Sequence, residues 1–257
     1  MLVAFLLPLG LAIWTSFHGA DGWTTEAYRL LAKNSLFWRV IDNTFQIAFF
    51  SSIAAILLGY PLALHMSARS ERTRRFLTML VLIPFWTSIL VKSYAFIVIF
   101  GRDGLLNQAL RASFFPFGPV EVLFTRTGVA IAMAHQIIPF VVLPLLSNLL
   151  SIDQNLLRAA KLMGASPFEV FWRVTLPLTL PGIAAAFMIS FTLGLGAYIT
   201  PALLGGRSDL MIANLIDLRL RETLDWPGAS AIAITLTVIA GLLIVGSRLL
   251  RRYKSEI

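Results

Sequence analysis

The stretch RAAKLMGASPFEVFWRVTLPLTLPG, residues 158–182, holds three basic residues, one acid, a Ser-Pro pair and two further prolines. On either side the chain turns apolar: 127–150 before it and 178–204, which its last residues enter, contain no Asp, Glu, Lys or Arg. About 20 helical residues cross the roughly 30 Å of a bilayer core, so each flanking run is long enough to span. The charged part between them, 151–177, is then a punctuated segment held outside the lipid.

Working outward, six such runs can be marked: 2–17, 44–64, 76–100, 127–150, 178–204 and 229–247. The whole chain of 257 residues is 58% hydrophobic and only 13% charged, with a mean hydropathy of +0.81. Soluble domains lie near 45–50% apolar and about 25% charged. The expectation is an all-α integral membrane protein of six transmembrane helices in one permease-like domain, 1–257. The first run is short and no basic residue precedes it, so a signal peptide or a displaced chain start competes with a true span. Residues 9–17 lack a small-residue cleavage site and end in bulky aromatics, which favours a span whose N-terminal flank is missing or very short.

Placing both ends in the cytoplasm puts 65–75, 151–177 and 248–257 inside, with eleven Lys and Arg, against nine on the longer outer loops. Positive charge is denser inside, as the positive-inside rule requires. The formal +8 is thus explained by topology, and nucleic-acid binding is not needed. No cysteine occurs, which excludes disulfides, thiol catalysis and thiolate metal sites. No metal-ligand set is apparent.

Within 151–177, Asp153 is placed to cap a helix running to Met163, and Gly164 to close it in the left-handed conformation. Ser166, Pro167 and Glu169 then fall at the N-cap, N1 and N3 positions of a second helix, the capping-box arrangement. That helix sets Phe168, Phe171, Trp172 and Thr175 at i, i+3, i+4 and i+7, an aromatic face outside the bilayer. The rings either pack back on the protein and the lipid interface or dock in a partner's groove.

No G-x-x-x-x-G-K-[ST] phosphate loop is present, so ATP is not bound by that route. No H-E-x-x-H occurs, and none of the six runs holds an acid, which argues against a hydrolase and against an ion-coupled carrier with carboxylate relays. A secondary transporter or channel subunit working without ATPases remains the alternative class. The pathway candidates are the polar and aromatic residues left in the runs: Lys92, Tyr94, His135, Gln136, Tyr198, Thr200 and Pro201. Lys92 either snorkels outward or serves a gate or cavity. His135 reads as a buried hydrogen-bonding side chain or a ligand contact. Around Tyr198 the sequence GLGAYITP suggests a broken helix lining a cavity, or close packing at Gly194 and Gly196. Asp103, Asp209 and Asp217 lie at the outer mouth, as solvated loop charges or as acids that attract a cation.

The spacing of Ala159-Ala160, Gly164, Val174 and Leu176-Pro177 resembles the cytoplasmic EAA loop of binding-protein-dependent ABC importer permeases. LLGYPLALHM, IPFWTSILVKSYAF, GRDGLLN, GAYITPALLGG, DLMIANLI and WPGASA extend the likeness to permeases of the spermidine/putrescine type. Arg158 stands where that family has its glutamate, so a salt bridge from that glutamate does not carry over. The resemblance implies a multi-pass permease of the bacterial inner membrane, with Arg158, Ala159, Ala160, Gly164, Phe168, Phe171, Trp172, Leu176 and Pro177 in a coupling helix between spans four and five. It also implies a second, related permease, two cytoplasmic ATPases that bind ATP and Mg, and a periplasmic solute-binding protein. The implied cargo is a polyamine or a related amine or amino-acid-like solute, selected largely by the binding protein.

Overall fold

The computed structural model describes residues 2–19, 22–112 and 119–255, with side chains described for 6–18, 22–112 and 119–246. Helices are α1 (Leu2–Ser16), α2 (Glu26–Lys33), α3 (Ser35–Ser67), α4 (Glu71–Trp86), α5 (Ile89–Phe100), α6 (Leu105–Ala112) and α7 (Arg126–Ser151). There follow α8 (Gln154–Leu162), α9 (Pro167–Val170), α10 (Leu176–Leu195), α11 (Ile199–Leu204), α12 (Ile212–Arg221) and α13 (Trp226–Ser255). Two-residue strands β1 (His18–Gly19) and β2 (Gly22–Trp23) pair antiparallel after α1.

The centre is a three-helix packing of α3, α7 and α10. Small residues let these backbones approach: α3 turns Ala48, Ser51, Ser52, Ala55, Gly59 and Ala63 inward. Opposite them α7 buries Val129, Ala132, Met133, Val141, Val142 and Leu145. Between lipid-embedded helices there is little hydrophobic drive, so close packing of small against branched side chains supplies the attraction. A Cβ at Gly194 of α10 would stand 2.9 Å from the Cβ of Ala48, so the α3–α10 crossing requires glycine there. Gly196 is different: only one atom would meet its Cβ, at 4.0 Å, and it ends α10 instead. A second layer packs α13 against α1 and α12, burying Phe37, Val40, Ile212, Leu215, Ala231 and Ile232 around the start of α3.

Among the described residues, four helices are long and apolar enough to cross a membrane: Ser35–Ser67, Arg126–Ser151, Pro167–Leu195 and Trp226–Gly246. The run 76–100 is not one straight helix. It breaks at Thr87–Ser88, and the two segments, Glu71–Trp86 and Ile89–Ala112, meet at 90°. Pro84 removes a backbone donor just before the break. Six similar runs therefore become four continuous helices, one bent pair and α1, whose 15 residues reach only about 22 Å. Helix α3 also starts at Ser35, well before the run 44–64, because the Asn34 side chain accepts from the Leu36 N–H at 2.9 Å and caps it. The basic tail 248–257 lies outside the residues whose side chains are described.

Candidate functional site

The elbow between α7 and α10 forms as its local sequence dictates. Asp153 Oδ1 accepts from the Asn155 N–H at 2.9 Å and starts α8. At the other end the Gly164 N–H donates to Lys161 O at 3.0 Å and the Ala165 N–H to Ala160 O at 3.1 Å. That pair of bonds is a Schellman closure, which needs a left-handed residue at its corner. Gly164 has φ +85°. Ser166 then caps α9: its Oγ accepts from the Glu169 N–H at 3.3 Å, and Glu169 Oε2 accepts from the Ser166 N–H at 2.9 Å. The Ser166 N–H first, and then the Ser166 hydroxyl, which donates to the same Oε2 at 3.0 Å, hold the Glu169 carboxyl below its ordinary pKa.

The second helix of the elbow does not stop before the span. A π-helical turn, Phe171–Thr175, joins α9 to α10, so 167–195 is continuous. The Leu176 N–H bonds to Phe171 O, and this wider turn accommodates Pro177, which has no donor of its own, without a break. The expected single aromatic face is consequently split. Phe168 and Trp172 are 71% and 51% exposed, whereas Phe171 turns inward with its ring 6.2 Å from that of Tyr60, and Thr175 is buried. Leu162 and Met163, 88% and 83% exposed at the glycine corner, join Phe168 and Trp172 in an apolar tip. Hydrophobic periodicity did not single out that pair; their position just before a helix-closing glycine could have. Arg158 and Ala159 are exposed, Ala160 is buried, Leu176 is half-buried and Pro177 is exposed.

The pathway candidates divide into two groups. Gln136, Thr200 and the unforeseen Ser93 meet: Gln136 Nε2 donates to Thr200 Oγ1 at 2.8 Å, and Ser93 Oγ lies 3.4 Å from the same oxygen. This ties α5, α7 and α11 together through buried hydroxyls. Lys92 Nζ donates to Pro84 O at 2.7 Å, reaching back across the break instead of snorkelling outward. Pro84 O is among the last carbonyls of α4, which no helical N–H satisfies. Tyr94 and His135 stay outside this cluster. Tyr94 is exposed, and so is His135, edge-to-face with Phe96 at 5.5 Å; the expectation of a buried hydrogen-bonding histidine is not met.

The helix break at GLGAYITP is real: α10 ends at Leu195 and α11 begins at Ile199. Asn214 Nδ2 donates at 3.1 Å to Tyr198 O, which also accepts from the Ala202 N–H at 3.0 Å, so the side chain pins the start of α11. The Tyr198 hydroxyl donates to Asp217 Oδ2 at 2.9 Å. Pro201 is buried in α11. The three mouth acids are each engaged: Asp209 pairs with Arg126 at 2.9 Å, Asp217 with Arg221 at 2.6 Å and Asp103 with Arg111 at 3.1 Å. The Arg221 hydrogen bond holds the Asp217 carboxyl below its ordinary pKa, with the Tyr198 hydroxyl adding to it. Asp209 is thus a buried partner of its arginine, whereas Asp103, 84% exposed, remains a solvated loop charge.

Comparison with known proteins places these features. Residues 53–254 match the family model described as binding-protein-dependent transport system inner membrane component. The chain is 32% identical over 263 residues to the spermidine/putrescine transport system permease protein PotB of Escherichia coli (strain K12), covering 98% of this chain and 95% of that one. It is 35% identical over 245 residues to PotB of Haemophilus influenzae, covering 93% of this chain and 86% of that one. Its fold matches, with a TM-score of 0.81 at 20% identity over 98% of this chain and 91% of that one, the crystal structure of a bacterial ABC transporter involved in the import of the acidic polysaccharide alginate. With helices that cross the membrane several times, a matched segment that includes the elbow and all four long spans save the start of α3, and similarity along its length, this chain belongs to the binding-protein-dependent transport system inner membrane components, the permease subunits of ABC importers.

Proposed function

We propose that this permease moves a polyamine, or a closely related amine or amino-acid-like solute, from periplasm to cytoplasm. It would work with a second, related permease, two cytoplasmic ATPases that bind ATP and Mg, and a periplasmic solute-binding protein. The substrate rests on the likeness to the two PotB permeases, which covers most of each chain. A cationic solute would meet exposed Tyr94 and Tyr198, whose ring faces attract alkylammonium groups. Asp103, Asp209 and Asp217 would attract such a cation only weakly, since each already holds an arginine. In this reading α1, the bent α4–α5 pair and the four long helices form six passes of a single domain, 1–257, with both termini and the 151–177 elbow cytoplasmic, in a bacterial inner membrane.

The observation that carries the coupling role is the apolar tip of Leu162, Met163, Phe168 and Trp172, presented on capped, glycine-cornered backbone at a helix-pair end that also carries Arg158 and Lys161. Burying such rings contributes at most about 1.5–3 kcal/mol each, so a few act as anchors. Arg158 would answer an acidic group on the ATPase where other members present glutamate. The test is co-purification of the assembled importer. Phe168→Ala with Trp172→Ala is expected to shed the ATPase while leaving the second permease bound. Retention of stoichiometric ATPase by that variant, or nucleotide-independent transport by the chain alone, would overturn the reading.

A further inference from the structure

The turn between α3 and α4 carries a charge cluster that the coupling reading does not use. Arg69, Arg72, Arg74 and Arg75 fall within seven residues that include one acid, Glu71. Glu71 is taken by Arg75. Arg69 Nε donates to His65 Nε2 at 3.2 Å and Arg74 Nη1 to Arg69 O at 3.5 Å, so no carboxylate pairs with Arg69, Arg72 or Arg74 among the described residues. Beside them lies an open hollow of about 680 Å³ lined by Ser70, Glu71, Arg72, Arg75, Phe76 and Met79.

A stripe leads away from that hollow along α4. Arg72, Phe76, Met79, Ile83 and Trp86 follow at i, i+4, i+7, i+11 and i+14, the spacing that keeps side chains on one helix face. All five are exposed, while Val81 on another face of the helix is buried. From Arg72 to Ile83 the helix rises about 16 Å, close to half of the roughly 30 Å hydrocarbon core. The face is thus cationic at one end and apolar for one leaflet's depth. We infer that the α3–α4 turn and this face of α4 form a binding site for an anionic phospholipid of the cytoplasmic leaflet, with the phosphodiester at Arg72 and at the guanidinium donors of Arg75 beyond the one that Glu71 engages, and an acyl chain along Phe76, Met79 and Ile83. The leaflet assignment rests on the topology proposed above.

Charge complementarity selects this occupant. Guanidinium forks match phosphate oxygens in geometry and sign, and anionic headgroups are concentrated where juxtamembrane arginines lie. A second polypeptide packed on the apolar stripe would leave the arginines unanswered. A free phosphate would leave Phe76 and Met79 uncovered.

The test is native mass spectrometry of the full chain recovered from nanodiscs of phosphatidylethanolamine and phosphatidylglycerol in a 3:1 ratio. The ratio of phosphatidylglycerol to phosphatidylethanolamine in the retained lipid is expected to be about fivefold that of the nanodisc, a preference that one charge-assisted contact readily gives. Arg72→Gln with Arg75→Gln should abolish the enrichment, the paired lysine variants should keep most of it, and Arg207→Gln should leave it unchanged. A benzophenone side chain at Met79 should capture lipid. No enrichment in the wild-type chain, enrichment that survives the glutamine pair, displacement by inorganic phosphate, or capture of a polypeptide at Met79 would each overturn the site. Labelling of Ser70→Cys separates this from topology: a cytoplasmic turn without enrichment defeats the lipid site alone.

Discussion

Gly164 shows how a single backbone angle sets the elbow. A Cβ there would touch nothing within 4 Å, so space is not the constraint; φ +85° is. An L-residue in the left-handed region costs roughly 1–2 kcal/mol, and more when β-branched. Gly164→Val is therefore expected to fray the Schellman closure and lower ATPase recovery, whereas Gly164→Asn, which tolerates that conformation, keeps most of it. Comparing co-purified ATPase from the two variants checks this. Glu169 adds a pH dependence. Its carboxyl is held below the ordinary value near 4.5 by the Ser166 bonds, so its contribution is fully present above that value and is lost as the pH falls through the lowered one. Amide exchange of residues 166–170, corrected for intrinsic rate, should be slower in the wild type than in Glu169→Gln at pH 7. The difference should shrink as the pH falls through the lowered carboxyl pKa, below 4.5.

At the scale of elements, two breaks organise the interior, and each is held by named side chains. Thr200→Val leaves the half-buried Gln136 amide without its 2.8 Å acceptor, a loss of at most about 1–3 kcal/mol, the range for a fully buried donor. Adding Gln136→Leu removes the orphan, so the double variant should be more stable than Thr200→Val alone. Denaturation of the detergent-solubilised chain measures both. Lys92→Met removes a charged donor from Pro84 O, worth about 1.5–3 kcal/mol. Spin-label distances across Thr87–Ser88 should then broaden, and Lys92→Arg should restore them. One break was legible in the sequence and the other was not, for a physical reason. GLGAYITP concentrates two glycines and a proline, residues that change what the backbone can do. Around Thr87–Ser88 only Pro84 and two small hydroxyl residues interrupt an unbroken hydropathy signal, and hydropathy reports immersion in lipid, not direction. The π-turn at Phe171–Thr175 was equally hidden. It shifts the register that a 3.6-residue period assumes, which is why Phe171 packs on Tyr60 while Phe168 and Trp172 face out.

For the molecule as a whole, the proposed topology sets the elbow on the cytoplasmic side of the membrane, and that proposal is open to direct measurement. The sequence has no cysteine, so single cysteines can be introduced without background. Leu162 at the elbow and Leu224 after α12 are both highly exposed, and the proposed topology sets them on opposite faces. A membrane-impermeant maleimide applied to intact spheroplasts should label Leu224→Cys and spare Leu162→Cys. In inverted vesicles the pattern should reverse. Adding the ATPase to those vesicles should then protect Leu162→Cys while leaving Ser70→Cys on the α3–α4 turn reactive, because only the elbow tip is expected to enter the ATPase cleft. Labelling of Leu162→Cys from outside would invert every loop assignment. Equal protection of Leu162→Cys and Ser70→Cys would instead mean that the ATPase covers the whole cytoplasmic face, and that the elbow has no special hold on it.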